Sequence, residues 1–381
     1  MDISSQFLNI KIKNPIIIAS SPLSESVENI LMCFNSGAGA VISKSCSSFS
    51  SNAPGFRRCY FDNRGFWATS TFDREIQDIN TSCKILYESI KRVSIPIFAS
   101  VTEPSLEYSE WYTSCKQIAD SGVSGIQLDF FYLENLMDKD DFKIRFIDLL
   151  NELNDRLSIP IFPKLNINLP SKFIASLLKK TKVDSVALLD SISVPPPFDI
   201  YNRGNCKLQN IINPHDTSLF GTWQYPLTLK YTYEMVSEGF YTCSGGGIHK
   251  GSDVVELIML GASVVQIATE LLINGYKRIN EILDEIIAFL SQNNFNCLDD
   301  IKSLALKNFG KTGEVIFTSK RIRIDKYKCT QCKRCLNQAF CNYITYLNDE
   351  VIVNQDKCEG CSFCVNLCTS KALYLDDYNG K

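Results

Sequence analysis

Histidine is nearly missing from this sequence: His215 and His249 are the only two in 381 residues. That leaves little material for a histidine-based triad or a mononuclear metal site. Neither sign of charge dominates, with 39 Lys and Arg against 42 Asp and Glu and a net charge of −3. The basic surplus that accompanies nucleic-acid binding is therefore lacking. No uninterrupted apolar run reaches the roughly eighteen residues of a membrane span, and no basic stretch precedes an apolar core at the N-terminus. A cytoplasmic protein with neither a membrane nor a nucleic-acid partner is the expectation. No Gly-x-Gly-x-x-Gly follows a strand-like run, so a Rossmann-type dinucleotide site is not expected in this chain.

Cysteine, by contrast, is abundant. Eight of the sixteen lie in one short C-terminal segment, as Cys329-x2-Cys332-x2-Cys335-x5-Cys341 and Cys358-x2-Cys361-x2-Cys364-x3-Cys368. Three thiolates two residues apart can wrap one face of a cubane, and the remote fourth cysteine of each run commonly ligates the other cluster. By that rule Cys329, Cys332, Cys335 and Cys368 hold one [4Fe–4S] centre, and Cys358, Cys361, Cys364 and Cys341 hold the second. A zinc ribbon uses the same Cys-x2-Cys pairs but needs only four thiolates and would idle the rest. The two runs are near-duplicates, IDKYKCTQCKRC against VNQDKCEGCSFC. The other eight cysteines, Cys33, Cys46, Cys59, Cys83, Cys115, Cys206, Cys243 and Cys297, have no ligand spacing and read as small core residues of a reducing compartment.

Upstream, short apolar runs near 15–19, 40–44, 95–101, 124–130, 159–165, 184–189, 239–243 and 263–268 alternate with amphipathic stretches at 25–36, 74–92, 105–121, 139–156, 171–181, 227–238 and 251–260. Regular strand–helix units in this number predict a (β/α)8 TIM barrel over 1–300, an α/β fold in which closure removes both sheet edges. A helical tail over 274–320, with a linker at 301–320, then leads to a small α+β ferredoxin-like domain over 321–381. Two connections, 45–73 and 190–226, are long and rich in Ser, Asn, Pro, Gly and aromatics. Loops that follow strands two and six lie at the C-terminal face of a barrel, so both are candidate substrate lids.

A barrel joined to two clusters needs a cofactor that exchanges both single electrons and hydride, and flavin does both. Gly245-Gly246-Gly247 after strand seven and Ala268-Thr269 after strand eight occupy the usual phosphate position of a barrel. Lys44 closes strand two and Lys164 closes strand five, where a charged side chain faces the mouth.

In order along the chain, NPIIIAS at 14–20, GAGAVISKS at 37–45, Lys164 in FPKL, Gly221-Thr222-x3-Pro226, GGI at 246–248 and GASVVQIAT at 261–269 resemble the dihydroorotate dehydrogenase family. In architecture the whole chain is similar to dihydropyrimidine dehydrogenases, whose flavin barrel precedes a two-cluster segment. The resemblance implies FMN at the C-terminal mouth. Ala19 and Ser20 would lie near the ring, Lys44 and Ser45 at its pyrimidine side and Lys164 near N1, with Gly221, Gly246, Gly247, Ala268 and Thr269 toward the phosphate. A homodimer is also implied.

One motif departs. Where the family reads approximately Glu-Leu-Asn-x-Ser-Cys-Pro-Asn, this chain has Gln127-Leu128-Asp129-Phe130-Phe131-Tyr132-Leu133-Glu134, and the Asn-Ser after strand six is Asp190-Ser191. Asparagine both donates and accepts, whereas an ionised carboxylate only accepts, so the site should prefer substrate N–H groups or a cation over the orotate carboxylate. Tyr132 stands at the acid/base position, either as proton donor or as an aromatic wall. With Phe66, Trp67 and Phe72 it would make an aromatic pocket. Asp129 and Asp190 face the site or pair with Lys44 or Lys164. Cys46 reads as packing and His249 as exposed.

The expectation is an FMN- and iron–sulfur-dependent reductase of an activated C=C or C=N bond in a small nitrogen-containing molecule, with Tyr132, Lys164 and Asp129 as catalytic residues. Its electrons would come from a ferredoxin or an NAD(P)H-oxidising flavoprotein subunit. Two alternatives stay open: a dehydrogenase running in the oxidative direction, and a non-catalytic electron-transfer subunit.

Overall fold

Eight short parallel strands, each hydrogen-bonded to two others, organise the larger part of the chain. The computed structural model describes residues 1–49, 58–69, 76–130, 136–137, 139–208, 217–309 and 320–377. Two compact units are formed, Met1–Phe309 and Gly310–Lys381.

In the first unit the strands are β1 (Ile16–Ile18), β2 (Ala40–Ile42), β3 (Ile97–Val101), β4 (Gly125–Asp129), β5 (Ile161–Lys164), β6 (Ser185–Leu188), β7 (Tyr241–Gly245) and β8 (Val264–Ile267). Each pairs in parallel with the next, and β8 returns to β1 through Val265↔Ile16, so the barrel is closed. All eight coincide with the predicted apolar runs. Parallel neighbours require crossovers, and these include α1 (Val27–Asn35), α2 (Ile79–Ile90), α3 (Tyr108–Ala119), α4 (Phe142–Arg156), α5 (Ser171–Leu178), α6 (Tyr225–Ser237) and α7 (Gly251–Met259). Their starts are set by local chemistry: Ser26 accepts from Asn29 N–H at α1, and Asp78 accepts from Thr81 N–H at α2. α2 begins later than the pattern suggested, because Gln77–Asp78 pairs as a strand with Cys46–Ser47.

Strand alternation sorts the core into two layers. Ile17, Ala40, Ile42, Phe98, Phe162, Ala187, Cys243 and Val264 point inward and pack together. Their neighbours, among them Ile16, Ile18, Val41, Ile97, Ala99, Ile161 and Val186, join the helices outside. The N-terminal end of the barrel is plugged by a hairpin, Ser5–Phe7 with Ile10–Ile12, turning through Leu8 and Asn9 at φ of 53° and 61°. That pair of left-handed residues matches the right-handed twist of a tight hairpin. Phe7 enters the barrel and meets Phe162 and Phe98 edge-on at centroid distances of 5.2 and 6.1 Å, while those two lie 5.8 Å apart.

At the opposite end, the described parts of the two long connections pair with each other. Cys59–Asp62, Gly65–Thr69, Thr217–Phe220 and Ile192–Val194 form a four-stranded antiparallel sheet. The predicted lids are thus partly one sheet, not two separate loops.

The second unit is built from Lys320–Ile324 paired with Leu373–Asp377 and a hairpin of Ile344–Leu347 with Glu350–Val353. Ile322, Ile344, Val351 and Leu373 form its core with Cys358 and Cys364.

The aromatic plug should dominate barrel stability. Phe162→Ala is expected to lose about 3–5 kcal/mol in urea unfolding followed by circular dichroism; a loss below about 1 kcal/mol would show that the three rings do not carry the barrel core.

Candidate functional site

The inward residues change character halfway along the barrel. Two positions beyond Ile42 lies Lys44, beyond Phe98 lies Ser100, beyond Phe162 lies Lys164 and beyond Val264 lies Gln266; on β4 the inward side chains are Gln127 and Asp129. All six are 9% exposed or less. Burying polar groups on this scale costs free energy unless they are partnered, and the partners they find define the site, with the Oε1 atoms of Gln127 and Gln266 finding none among the described residues.

One network runs across the mouth. Gln127 Nε2 donates to Ser100 Oγ at 2.9 Å. Ser45 Oγ lies 2.9 Å from Ser100 Oγ and 3.1 Å from Ser20 Oγ, and donates to Asp129 Oδ2 at 2.9 Å. A hydroxyl carries one proton. Ser45 gives its own to Asp129, so Ser100 and Ser20 donate to Ser45 and the whole chain points toward the carboxylate.

A second cluster carries opposite charges. Lys164 Nζ lies 2.8 Å from Asp190 Oδ2, with the two side chains 6% and 12% exposed. Asp190 Oδ1 accepts the Ser191 N–H at 2.7 Å. Burial pushes the Asp190 carboxyl upward, but the charge and hydrogen bond of Lys164, the Ser191 amide and the more remote Lys44 outweigh it and hold the group below the usual carboxylate range.

Beside this pair the chain after β7 forms a cradle. Gly246 and Gly247 have φ of 102° and 79°, and a Cβ on Gly247 would lie 2.6 Å from Tyr225 N and 2.9 Å from Gly221 O. Only glycine fits. Thr228 Oγ1 fixes the turn through Gly245 O at 2.8 Å and Gly246 O at 2.7 Å. Among the described residues the N–H groups of Gly246, Gly247 and Ile248 have no backbone acceptor, and consecutive amides in such a turn make an anion-binding concavity. The Oε1 atom of Gln266, in the same pocket, is a buried acceptor without a partner among the described residues.

Ala19, Ser20, Lys164, Asp190, Gly246, Gly247, Ala268 and Thr269 line this one pocket, with Leu189, Ser191, Phe220, Gln224 and Gln266. Lys44, Ser45 and Asp129 do not line it; Ser45 and Asp129 connect to it through the hydrogen bond of Ser45 with Ser20. Gly221 instead lines an adjoining cavity of about 210 Å³, with Phe61, Phe66, Gly247 and Thr269. Trp67 is buried. Tyr132, Glu134, Phe72 and His215 lie outside the described residues. His249 is half exposed, with Nδ1 2.6 Å from Glu270 Oε2. Cys46 is fully buried, and burial pushes its thiol up to about 12.

Ser100 belongs to no motif, while Gln266 stands within GASVVQIAT and Gln224 at an unspecified position of Gly221-Thr222-x3-Pro226, and neither was expected to face the site. Their signal was a polar residue inside or just beyond an apolar strand. Glu103, just after β3, is also new: its buried carboxylate accepts from Ser47 Oγ at 3.0 Å, Ser48 Oγ at 3.0 Å, Ser48 N at 3.1 Å and Ser114 Oγ, tying down the start of the first long connection.

In the second unit both cysteine runs carry left-handed residues at matched positions. Gln331 and Lys333 flank Cys332 with φ of 54° and 59°, and Gly360 and Ser362 flank Cys361 with φ of 69° and 65°. Left-handed residues on both sides of the middle cysteine are the kind of backbone from which anion-binding nests are built. No group of three His, Cys, Asp or Glu side chains among the described residues is arranged to hold a metal ion.

Comparison with known proteins agrees with this geometry. Residues 2–290 match the family described as "Dihydroorotate dehydrogenase". The catalytic subunit of dihydroorotate dehydrogenase B (NAD(+)) from Thermoplasma acidophilum is 27% identical over 317 residues, covering 80% of this chain and 99% of that protein. The NAD-dependent dihydropyrimidine dehydrogenase subunit PreA of Escherichia coli strain K12 is 20% identical, covering 88% and 84%. That coverage exceeds the share of the chain taken by the first unit, so the likeness continues into the second. The chloroplastic dihydropyrimidine dehydrogenase (NADP(+)) of Arabidopsis thaliana is 23% identical, covering 81% and 78%.

The assignment of Cys46 to packing is testable. A thiol held near 12 is about one part in ten thousand ionised at pH 8, so maleimide treatment of the native protein is expected to mark the exposed Cys59 and leave Cys46 unmodified by peptide mass spectrometry. Equal labelling of both would contradict the burial.

Proposed function

The chain belongs to the dihydroorotate dehydrogenase family, oxidoreductases acting on CH–CH bonds, and from that premise we propose that it reduces an activated C=C or C=N bond of a small nitrogen-containing, pyrimidine-like molecule. FMN bound at the barrel mouth would supply hydride transfer and accept single electrons. Two [4Fe–4S] clusters, on Cys329, Cys332, Cys335 and Cys368 and on Cys358, Cys361, Cys364 and Cys341, would supply the one-electron path. The glycine cradle, the free Gln266 acceptor and the matched left-handed residues of the two cysteine runs support holding these groups. In this reading the phosphate meets the amides of Gly246, Gly247 and Ile248, and Lys164 stands beside the ring.

The observation that carries the substrate reading is the charge balance of the mouth. Among the described residues Lys44 and Lys164 are matched by Asp129 and Asp190. Such a site offers no surplus positive charge to a substrate carboxylate. Asp129, already the terminus of a donor chain, accepts hydrogen bonds and so suits a neutral ring that presents N–H groups. Tyr132 is the proposed proton donor to the carbon that does not receive hydride.

A separate protein would deliver the electrons, either a ferredoxin or an NAD(P)H-oxidising flavoprotein subunit. The relatives' own designations as subunits support that arrangement. Among the described residues no helix is long and apolar enough to cross a membrane. The names of those relatives also favour a second reading, oxidation of a dihydropyrimidine with export of electrons.

Anaerobic protein reduced with dithionite should show flavin reoxidation on addition of uracil, thymine or another enamide, but none with orotate; failure of every activated alkene would refute the reductase reading. Gly247→Ala should lose bound FMN by more than tenfold in absorbance per protein, because its Cβ would press on Tyr225 N at 2.6 Å. Retention of flavin by that variant would move the phosphate elsewhere.

A further inference from the structure

Lys164 and Asp190 face the same pocket as the glycine cradle. A cation beside a flavin stabilises the negative charge the ring takes up on reduction, and so makes reduction easier. Here that cation is not presented alone. Asp190 Oδ2 is 2.8 Å from Lys164 Nζ, and the carboxylate cannot readily swing away. Its other oxygen is held by the Ser191 amide at 2.7 Å, its own N–H is bonded to Leu165 O at 3.2 Å, and its carbonyl accepts from Gln224 Nε2. Seen from the pocket, the pair offers the field of a dipole instead of a full positive charge.

We propose that Asp190 is a positioning residue that lowers the reduction potential of the bound flavin by cancelling the charge of Lys164. The inference rests on the FMN reading above and sharpens its direction. Two electrons from a one-electron donor, with a proton, reduce the ring. Hydride to one carbon of the C=C bond and a proton to the other then restore the oxidised ring. A ring with a weakened counter-charge holds its electrons less firmly, so it is a stronger hydride donor and requires a low-potential electron source.

The test is an equilibrium redox titration of FMN-loaded protein against a reference dye at pH 7, comparing the native chain with Asp190→Asn and Asp190→Ser. Asp190→Asn keeps an acceptor for the Ser191 amide, removes the charge and turns an amide NH2 toward Lys164 Nζ, while Asp190→Ser removes the charge without placing a second donor group there. Both variants are expected to favour the reduced flavin at least tenfold more than the native protein, a rise of about 30 mV for a two-electron couple. Sulfite, which adds to oxidised flavin to give an anionic adduct, is expected to bind both variants at least tenfold more tightly. An unchanged or lowered potential would overturn the proposal. Loss of flavin from both variants would overturn it too, since Asp190 would then be holding the cofactor and not tuning it. Failure of the native protein to take up FMN at all would instead remove the reading beneath, and is scored before any variant is made.

Discussion

The interior of an eight-stranded barrel has no solvent to spare, so each inward side chain is apolar or costs free energy unless it finds a partner. This constraint separates the plug from the site. At the N-terminal end it is met by Phe7, Phe98 and Phe162; at the C-terminal end it is met by hydrogen bonds and charge pairing. The Lys164–Asp190 contact shows the balance. At 2.8 Å and an effective dielectric of about 20, the gross attraction is about 6 kcal/mol. Desolvation consumes several kcal/mol for each ion, so the net gain in stability is small. An apolar pair of similar volume would fold as well. A charged pair at this place therefore belongs to the chemistry of the pocket, while losing either partner would strand the other.

How much of this was legible in the sequence follows from the same distinction between local and distant causes. The eight strands were readable because a barrel strand is a short apolar run bounded by turn residues, and each crossover helix carries its own period. The cradle was readable because Gly246 and Gly247 are fixed by backbone geometry within one turn. Pairing across long separations was not. Gly65–Thr69 finds Thr217–Phe220 some 150 residues away, and neither stretch alone announces its partner. The Leu8–Asn9 hairpin plug was missed for a related reason: each of its strands is only three residues long, too short for alternation to register. The Gln127–Ser100–Ser45–Asp129 relay joins side chains of β3 and β4 with Ser45 just beyond β2, and it exists only once these strands lie side by side.

The cysteine runs illustrate what spacing conveys and what it leaves to the fold. The two Cys-x2-Cys-x2-Cys runs bend sharply, and left-handed residues stand on either side of the middle cysteine in both. Left-handed backbone is unfavourable for non-glycine residues by about 1–2 kcal/mol, so Gln331, Lys333 and Ser362 hold conformations that surrounding structure must enforce. At Gly360 the demand is steric as well, since a Cβ there would lie 2.2 Å from Lys320 O. The same strain at matched positions of both runs is a feature of backbone that can gather amides into an anion-binding nest.

The two ends of the barrel mouth differ in how freely they can change. The cradle is closely confined: a Cβ on Gly247 would lie within 3.0 Å of the Tyr225 and Gly221 backbone, one on Gly246 would lie 2.9 Å from the Gln224 and Thr228 side chains, and Thr228 ties the turn to α6. Nothing but glycine satisfies those positions. Asp129 and Asp190 are constrained differently. Asp129 needs an acceptor toward Ser45 Oγ, which an asparagine oxygen would supply with almost no change in volume, whereas Asp190 accepts from both Ser191 N–H and Lys164, so an asparagine of the same volume would keep one of its two contacts. Exchanging amide for carboxylate at these two places alters the charge of the site without disturbing its packing. Divergence of substrate within this fold can therefore proceed through such isosteric exchanges, while the backbone that defines the cradle stays fixed.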